Sequence, residues 1–168
     1  MKGAKRITFF AICVAISVAL TAFEMTLPII TSIPGGKLGL ANVVFLFVMY
    51  KYGCFNAFII NILRTFVVSF LFTGANAFAY SFFGAFISSI VMILLFKTLK
   101  DKMSPIGISV FGAYFHSLAQ VTLSAIQLWS FYVYYYFITL SFISIVSGIV
   151  TGFCAKYFID FTKGDILK

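Results

Sequence analysis

Long apolar runs, separated by short breaks rich in glycine, proline or charge, set the rhythm of this chain. The first runs from about Ile7 to Leu27 and stops at Pro28, with Pro34-Gly35-Gly36 marking a loop over Thr31–Lys37. The second, about Leu38 to Tyr50, is short and closes at Lys51-Tyr52-Gly53. The third covers about Phe55 to Phe72 and ends at Thr73-Gly74-Ala75-Asn76. The fourth covers about Phe78 to Phe96, before a charged turn from Lys97 to Met103 and Ser104-Pro105. The fifth runs from about Ile106 to Trp129, and the sixth from about Val133 to Phe158. A bilayer-crossing helix needs about 20 mostly apolar residues, so the pattern predicts an all-α, polytopic membrane protein. It is read as a six-transmembrane-helix bundle in a single transmembrane domain, residues 1–168, with helices about 7–27, 38–50, 55–72, 78–96, 106–129 and 133–158. The second is short for a full crossing, so it is tilted or starts inside a loop-lined cavity.

Composition supports lipid as the solvent. Hydrophobic residues make up 62% of the 168 residues and charged residues 10%, where a soluble domain carries about a quarter charged residues. The net charge of +8 raises nucleic acid as a partner, but the cations sit at the ends of apolar runs and form no basic stripe, so no nucleic-acid role is expected. Their placement reports orientation instead. With the N-terminus inside, ten of the twelve Lys and Arg fall on inner segments or helix ends, Lys37 lies outside and Arg64 lies within a helix. That bias predicts a multi-pass protein of the cell membrane with cytoplasmic N- and C-termini. Trp129, Tyr132, Tyr134, Tyr135 and Tyr136 then form an aromatic belt at the outer interface. The basic start and the apolar run after it resemble a signal peptide, but Leu20-Thr-Ala-Phe-Glu24 is a poor cleavage site and the run is long enough to span, so a retained helix is expected. Cys13, Cys54 and Cys154 show no metal or redox spacing and are read as small packing residues.

Candidate chemistry rests on polar groups inside apolar runs. Arg64 sits mid-helix, where a charge costs at least ~2.5 kcal/mol. It is either a packing salt bridge or the guanidinium fork that holds a ligand anion. Asn61, one turn earlier, shares its face and is placed to orient that fork. His116, Gln120, Ser124 and Gln127 recur at steps of four, four and three, forming a polar stripe that must face inward. With one histidine and no cysteine pair, no metal site is expected. Glu24 near the end of the first helix, and Lys37 and Asn42 around the start of the second, flank the glycine-containing loop, which is either an ordinary turn or a lid over an outward-facing pocket. Ala11, Ala15 and Ala19 repeat at steps of four, suited either to internal packing or to docking another membrane subunit. No P-loop, paired-carboxylate or nucleophile-elbow motif is present, so no enzyme activity, catalytic residue or cofactor is expected, and ATP-driven transport would need a partner.

Pro34-Gly-Gly-Lys-Leu-Gly-Leu-Ala-Asn42 followed by Arg64 resembles the heptaprenyl diphosphate synthase component I family, also called the Gx transporter family. Gly112-Ala-Tyr-Phe-His116-Ser-Leu-Ala-Gln120 is similar to its second signature, Gly-Ala-x-x-His-Asn-x-Gly-Gln, with Ser117 in place of Asn and Ala119 in place of Gly. Glu24 before a proline, and Ser147-Gly-Ile-Val-Thr-Gly152, also fit. The resemblance implies a fold like the substrate-binding S-components of energy-coupling factor (ECF) transporters: six helices, both termini inside, and an outer loop that closes over a vitamin-sized ligand. It also implies docking, through small residues of the first helix, to a transmembrane coupling subunit with its ATPase subunits.

Together these readings predict a membrane substrate-binding subunit of a small-molecule importer. Glu24, Lys37, Asn42, Arg64, His116 and Gln120 are its expected substrate-binding residues, and Ala11, Ala15 and Ala19 its partner-docking residues. The ligand is expected to be an isoprenoid-, quinone- or vitamin-related compound. The alternative is a non-catalytic membrane accessory subunit of polyprenyl diphosphate or menaquinone synthesis. A structural subunit of a membrane electron-transfer system is a third option, but no haem, iron–sulfur or flavin pattern supports it.

Overall fold

The computed structural model describes residues 3–27, 38–99 and 102–162. The Thr31–Lys37 loop, and with it the expected ligand residue Lys37, lies outside them. The described residues are helical, with no strand among them: α1 (Gly3–Met25), α2 (Ala41–Tyr52), α3 (Cys54–Val68), a π-helical turn (Ser69–Thr73), α4 (Gly74–Leu99), α5 (Pro105–Gln127) and α6 (Val133–Phe161). Four helical stretches are long and apolar enough to cross a membrane: Gly3–Met25, Cys54–Leu99, Pro105–Gln127 and Val133–Phe161. Lipid is therefore the natural solvent of this chain.

The Cys54–Leu99 stretch folds back on itself. Asn61 Nδ2 donates to Ser89 Oγ at 2.8 Å, 28 residues away in sequence. A straight helix would hold those residues about 42 Å apart along its axis. The reversal falls at the π turn and Gly74, whose φ of 75° and ψ of −179° take the backbone out of helix. That φ favours glycine, and α4 therefore starts at Gly74, ahead of the expected Phe78. The other boundaries shift for similar local reasons. Gly39, at φ +67°, delays α2 to Ala41. At the end of α5, Leu128 N–H donates to the Ser124 carbonyl and Ser130 N–H to the Ala125 carbonyl, while Trp129 turns to φ 49°.

With 12 residues, α2 is about 18 Å long and too short for a ~30 Å hydrocarbon layer. It is apolar on every side, which marks a fully buried helix. Ala41, Val43, Val44, Phe45, Leu46, Val48 and Met49 are all buried. Cys13 of α1, Ala57 and Ile60 of α3, Met92 and Phe96 of α4, Ile108 of α5 and Ala155 of α6 complete the core around it. The longer helices therefore surround α2 and turn their own apolar faces outward. Phe70 is 92% exposed and Phe142 68%, a pattern that water would punish and hydrocarbon tolerates.

Contacts gather alternate helix ends at one pole. Arg6 Nη2 donates to Asn56 Oδ1 at 3.1 Å, Phe9 meets Tyr52 with ring centroids 4.5 Å apart, and Tyr50 meets Phe96 at 4.7 Å. There, a Cβ on Gly152 would lie 2.6 Å from Ile106 Cα. Lys5, Arg6, Lys51, Lys97, Lys102 and Lys156 all belong to this pole.

Candidate functional site

Glu24 sits in the last turn of α1, where its charge opposes that helix's own dipole. Its carboxylate instead serves the next helix. Gly39 N–H donates to Oε1 at 2.8 Å and Leu40 N–H to Oε2 at 3.2 Å. Glu24 is thus an N-terminal cap for α2, supplied by another element. From the opposite side Ser147 of α6 donates its hydroxyl to the Leu38 carbonyl. Asn42 packs against the same turn, with its Nδ2 3.3 Å from where a Cβ on Gly39 would stand. Leu38-Gly-Leu-Ala-Asn42 is therefore a glycine-dependent helix start held between α1 and α6.

Arg64 of α3 points toward α1, where its Nη1 donates to Thr21 Oγ1 at 3.2 Å. Thr21 lies one turn before Glu24, and the Glu24 charge is close enough to act on Arg64. The Arg64 Nε is buried with no partner among the described residues. Asn61, expected to orient the fork, is committed to Ser89 and ties α3 to α4 instead.

His116 and Gln127 of the α5 stripe face α4, but Gln127 is exposed, so the stripe leaves the interior at its outer end. The His116 ring lies against Gly84, so closely that a Cβ there would come within 2.7 Å of Cε1. Gln120, one turn further, is 6% exposed and its Oε1 has no partner among the described residues. Ser124 donates back to the Gln120 carbonyl at 3.0 Å, and Tyr80 of α4 donates to Gln127 Oε1.

These pairings establish a common depth. Since α3 and α4 run antiparallel with Asn61 against Ser89, Arg64 lies level with Phe86, near Gly84. Gly84 carries His116, and the contact between Met92 and Gly112 on one side and Tyr80 and Gln127 on the other bracket Gln120 at the same level. On α6, Ser144 joins Ser117 across 2.6 Å. Arg64, Gly84, His116, Gln120 and Ser144 thus fall within one to two helical turns, ~5–10 Å, along the helix axes, and the length of the Arg64 side chain carries its guanidinium to Thr21. The start of α2 hangs beside this layer through Glu24 and Ser147. Among the expected residues, Arg64 on α3 and His116 and Gln120 on α5 lie at similar depth, Arg64 turned toward α1 and His116 toward α4; Glu24 and Asn42 build the helix start beside them, and Lys37 lies outside the described residues.

A family model described as heptaprenyl diphosphate synthase component I matches residues 13–158. The chain belongs to this family. No curated protein and no solved structure matches it. The polar layer and the α2 start of this heptaprenyl diphosphate synthase component I chain fall within the matched range. Sequence reasoning passed over Thr21, Gly84 and Ser144, and met Ser147 only as part of the Ser147–Gly152 resemblance, with no role given to its hydroxyl. Ser144, Ser147 and Thr151 recur at steps of three and four on α6 and give a visible stripe, whereas Gly84 carried no signal beyond being a glycine in a helix. The three α1 alanines, Ala11, Ala15 and Ala19, are exposed, so they do not pack inside this chain. Among the described residues of this family member, no group of three His, Cys, Asp or Glu could hold a metal ion.

Proposed function

We propose that this chain is a non-catalytic, ligand-capturing membrane subunit of a small-molecule importer, similar to the S-components of energy-coupling factor transporters. In this reading the long helices cross the cell membrane, the short α2 makes its pass enclosed by them rather than in lipid, the basic pole and both termini face the cytoplasm, and the polar layer opens toward the outside. The observation that supports it most is Arg64: a guanidinium inside an apolar bundle, with a buried Nε that none of the described residues satisfies. A buried donor of this kind is costly unless an acceptor reaches it. An anionic group of a ligand would supply one. In this reading His116 and Gln120 orient the bound molecule, and the Glu24-capped start of α2 forms the adjoining wall. The exposed stripe of Ala11, Ala15 and Ala19 suits a transmembrane coupling subunit, which would bring the ATPase subunits that this chain lacks.

Arg64→Ala decides the matter. Uptake, or ligand retained through purification, should fall below detection while the protein still inserts and migrates as one species in detergent. Wild-type uptake by that variant removes Arg64 from the site. The family's description favours a second reading, a membrane accessory subunit of polyprenyl diphosphate synthesis. Purification with a soluble prenyltransferase, and without small molecule or nucleotide-hydrolysing subunits, would support that reading and exclude the first.

A further inference from the structure

The polar surface inside the bundle does not end at Arg64. Continuing outward along α3, Ser69 and Thr73 open and close the π turn, and both hydroxyls are buried with no partner among the described residues. Ser69 is 5% exposed. Serine and threonine in a helix ordinarily donate to the carbonyl one turn back. Ser17, Thr65, Thr122 and Ser124 all do so here. Ser69 and Thr73 do not, and they lie in a turn whose i→i+5 bonding is rare and concentrated at functional sites. Thr65, Val68 and Ser69 are buried while Phe66, Val67, Phe70, Leu71 and Phe72 are exposed, so Ser69 faces the bundle interior along with Thr65.

We infer that the π turn Ser69–Thr73 is part of the ligand site, and that the ligand is a small polar anion carrying at least one N–H donor rather than a prenyl diphosphate or a quinone. The inference rests on the capture reading above. Its logic is a count of donors and acceptors. Arg64 Nε can only donate, so it asks for an acceptor, best an anionic one. The Gln120 carboxamide presents an oxygen acceptor that no described residue satisfies, and that oxygen asks for a donor. The two hydroxyls take either role. At neutral pH a prenyl diphosphate offers oxygen acceptors and hydrocarbon, and a quinone offers two carbonyl acceptors. Either would leave the Gln120 oxygen desolvated and unbonded, a mismatch that polar sites reject strongly. An anion with an amide, ureido, ring N–H or ammonium group satisfies both ends.

The test uses the full chain in nanodiscs, with melting temperature read against two probe sets at equal concentration. N–H-bearing anions are represented by free amino acids, N-acetyl amino acids and orotate. Acceptor-only compounds are represented by fumarate, farnesyl diphosphate and a short-chain menaquinone. Stabilisation confined to members of the first set is expected. Ser69→Ala/Thr73→Val should weaken the apparent affinity about tenfold, the loss of one or two hydrogen bonds, whereas the lipid-facing neighbour Phe70→Ala should leave it unchanged. Gln120→Leu should remove the preference for N–H donors. Stabilisation by farnesyl diphosphate or menaquinone alone overturns the ligand class and leaves ligand capture standing. A wild-type response from the Ser69/Thr73 variant overturns the π-turn subsite. If no probe stabilises the protein and no small molecule is released on denaturation, the capture reading falls and takes this inference with it.

Discussion

At the scale of single residues, the clearest actor is Glu24. Its two oxygens hold the Gly39 and Leu40 amides at the start of α2. Glu24→Ala should lower stability by roughly 1–3 kcal/mol, the range for losing a helix cap made by a charged acceptor. Glu24→Gln keeps one acceptor and should cost less. Thermal unfolding in detergent checks both, and an unchanged Glu24→Ala variant would deny the cap any structural weight. Arg64, His116 and Gln120 were legible in the sequence because a polar group in an apolar run has to be accommodated inside. Ser147 and Thr21 were not. Most hydroxyls in these helices bond their own backbone, and Thr21 itself donates to the Ser17 carbonyl at 2.8 Å while accepting from Arg64. Nothing in the sequence says which serine or threonine reaches across to a neighbour.

At the scale of elements, α5 and α6 make the tightest pair. A Cβ on Gly148 would fall 2.6 Å from Val110 Cα, and one on Gly152 equally close to Ile106 Cα. Ser109 and Thr151 bond across the same seam at 2.8 Å. Small residues let membrane helices approach to this degree, and the atoms they meet are backbone, which cannot step aside. Gly148→Ala should therefore destabilise by about 1–3 kcal/mol, the usual penalty for overpacking, while Ile149→Ala on the exposed neighbouring position should have a much smaller effect. Resistance to unfolding in mixed micelles distinguishes the two. The helices themselves were readable from apolar run length, with shifts of a few residues where Gly39 and Gly74 adopt positive φ. The π turn was invisible, since Ser-Phe-Leu-Phe-Thr has the same apolar pattern whether its amides reach four residues back or five.

At the scale of the whole molecule, the arrangement is a short buried helix inside a ring of long ones, with a basic pole at one end and a polar layer across the interior. α1 keeps one side of itself free, presenting Ala11, Ala15 and Ala19 beside Ile12 and Ile16, which are 51% and 48% exposed. If that side receives a coupling subunit, Ala15→Leu should abolish co-purification of the partner without moving the melting temperature of the isolated chain. A lower melting temperature would instead show that the alanines support this chain's own fold. The cations that the sequence sets at alternate ends of the apolar runs gather at one pole, because alternate helix ends meet there. The sequence could not reveal that the interior polar groups would share one depth, since that follows from how antiparallel helices register against one another.

The central position of α2 also bears on biogenesis. Twelve residues are too few to partition into the bilayer as an independent unit, and this segment finds its full apolar surroundings only when α4, α5 and α6 have been synthesised. Gly53, at φ 95°, joins it to α3 with no intervening loop, so the two are placed to enter the lipid as a linked pair. Until those neighbours are in place, the α2–α3 pair lacks the packing that buries α2 in the complete fold. A truncated chain that stops before α4 would therefore be a natural substrate for membrane quality control.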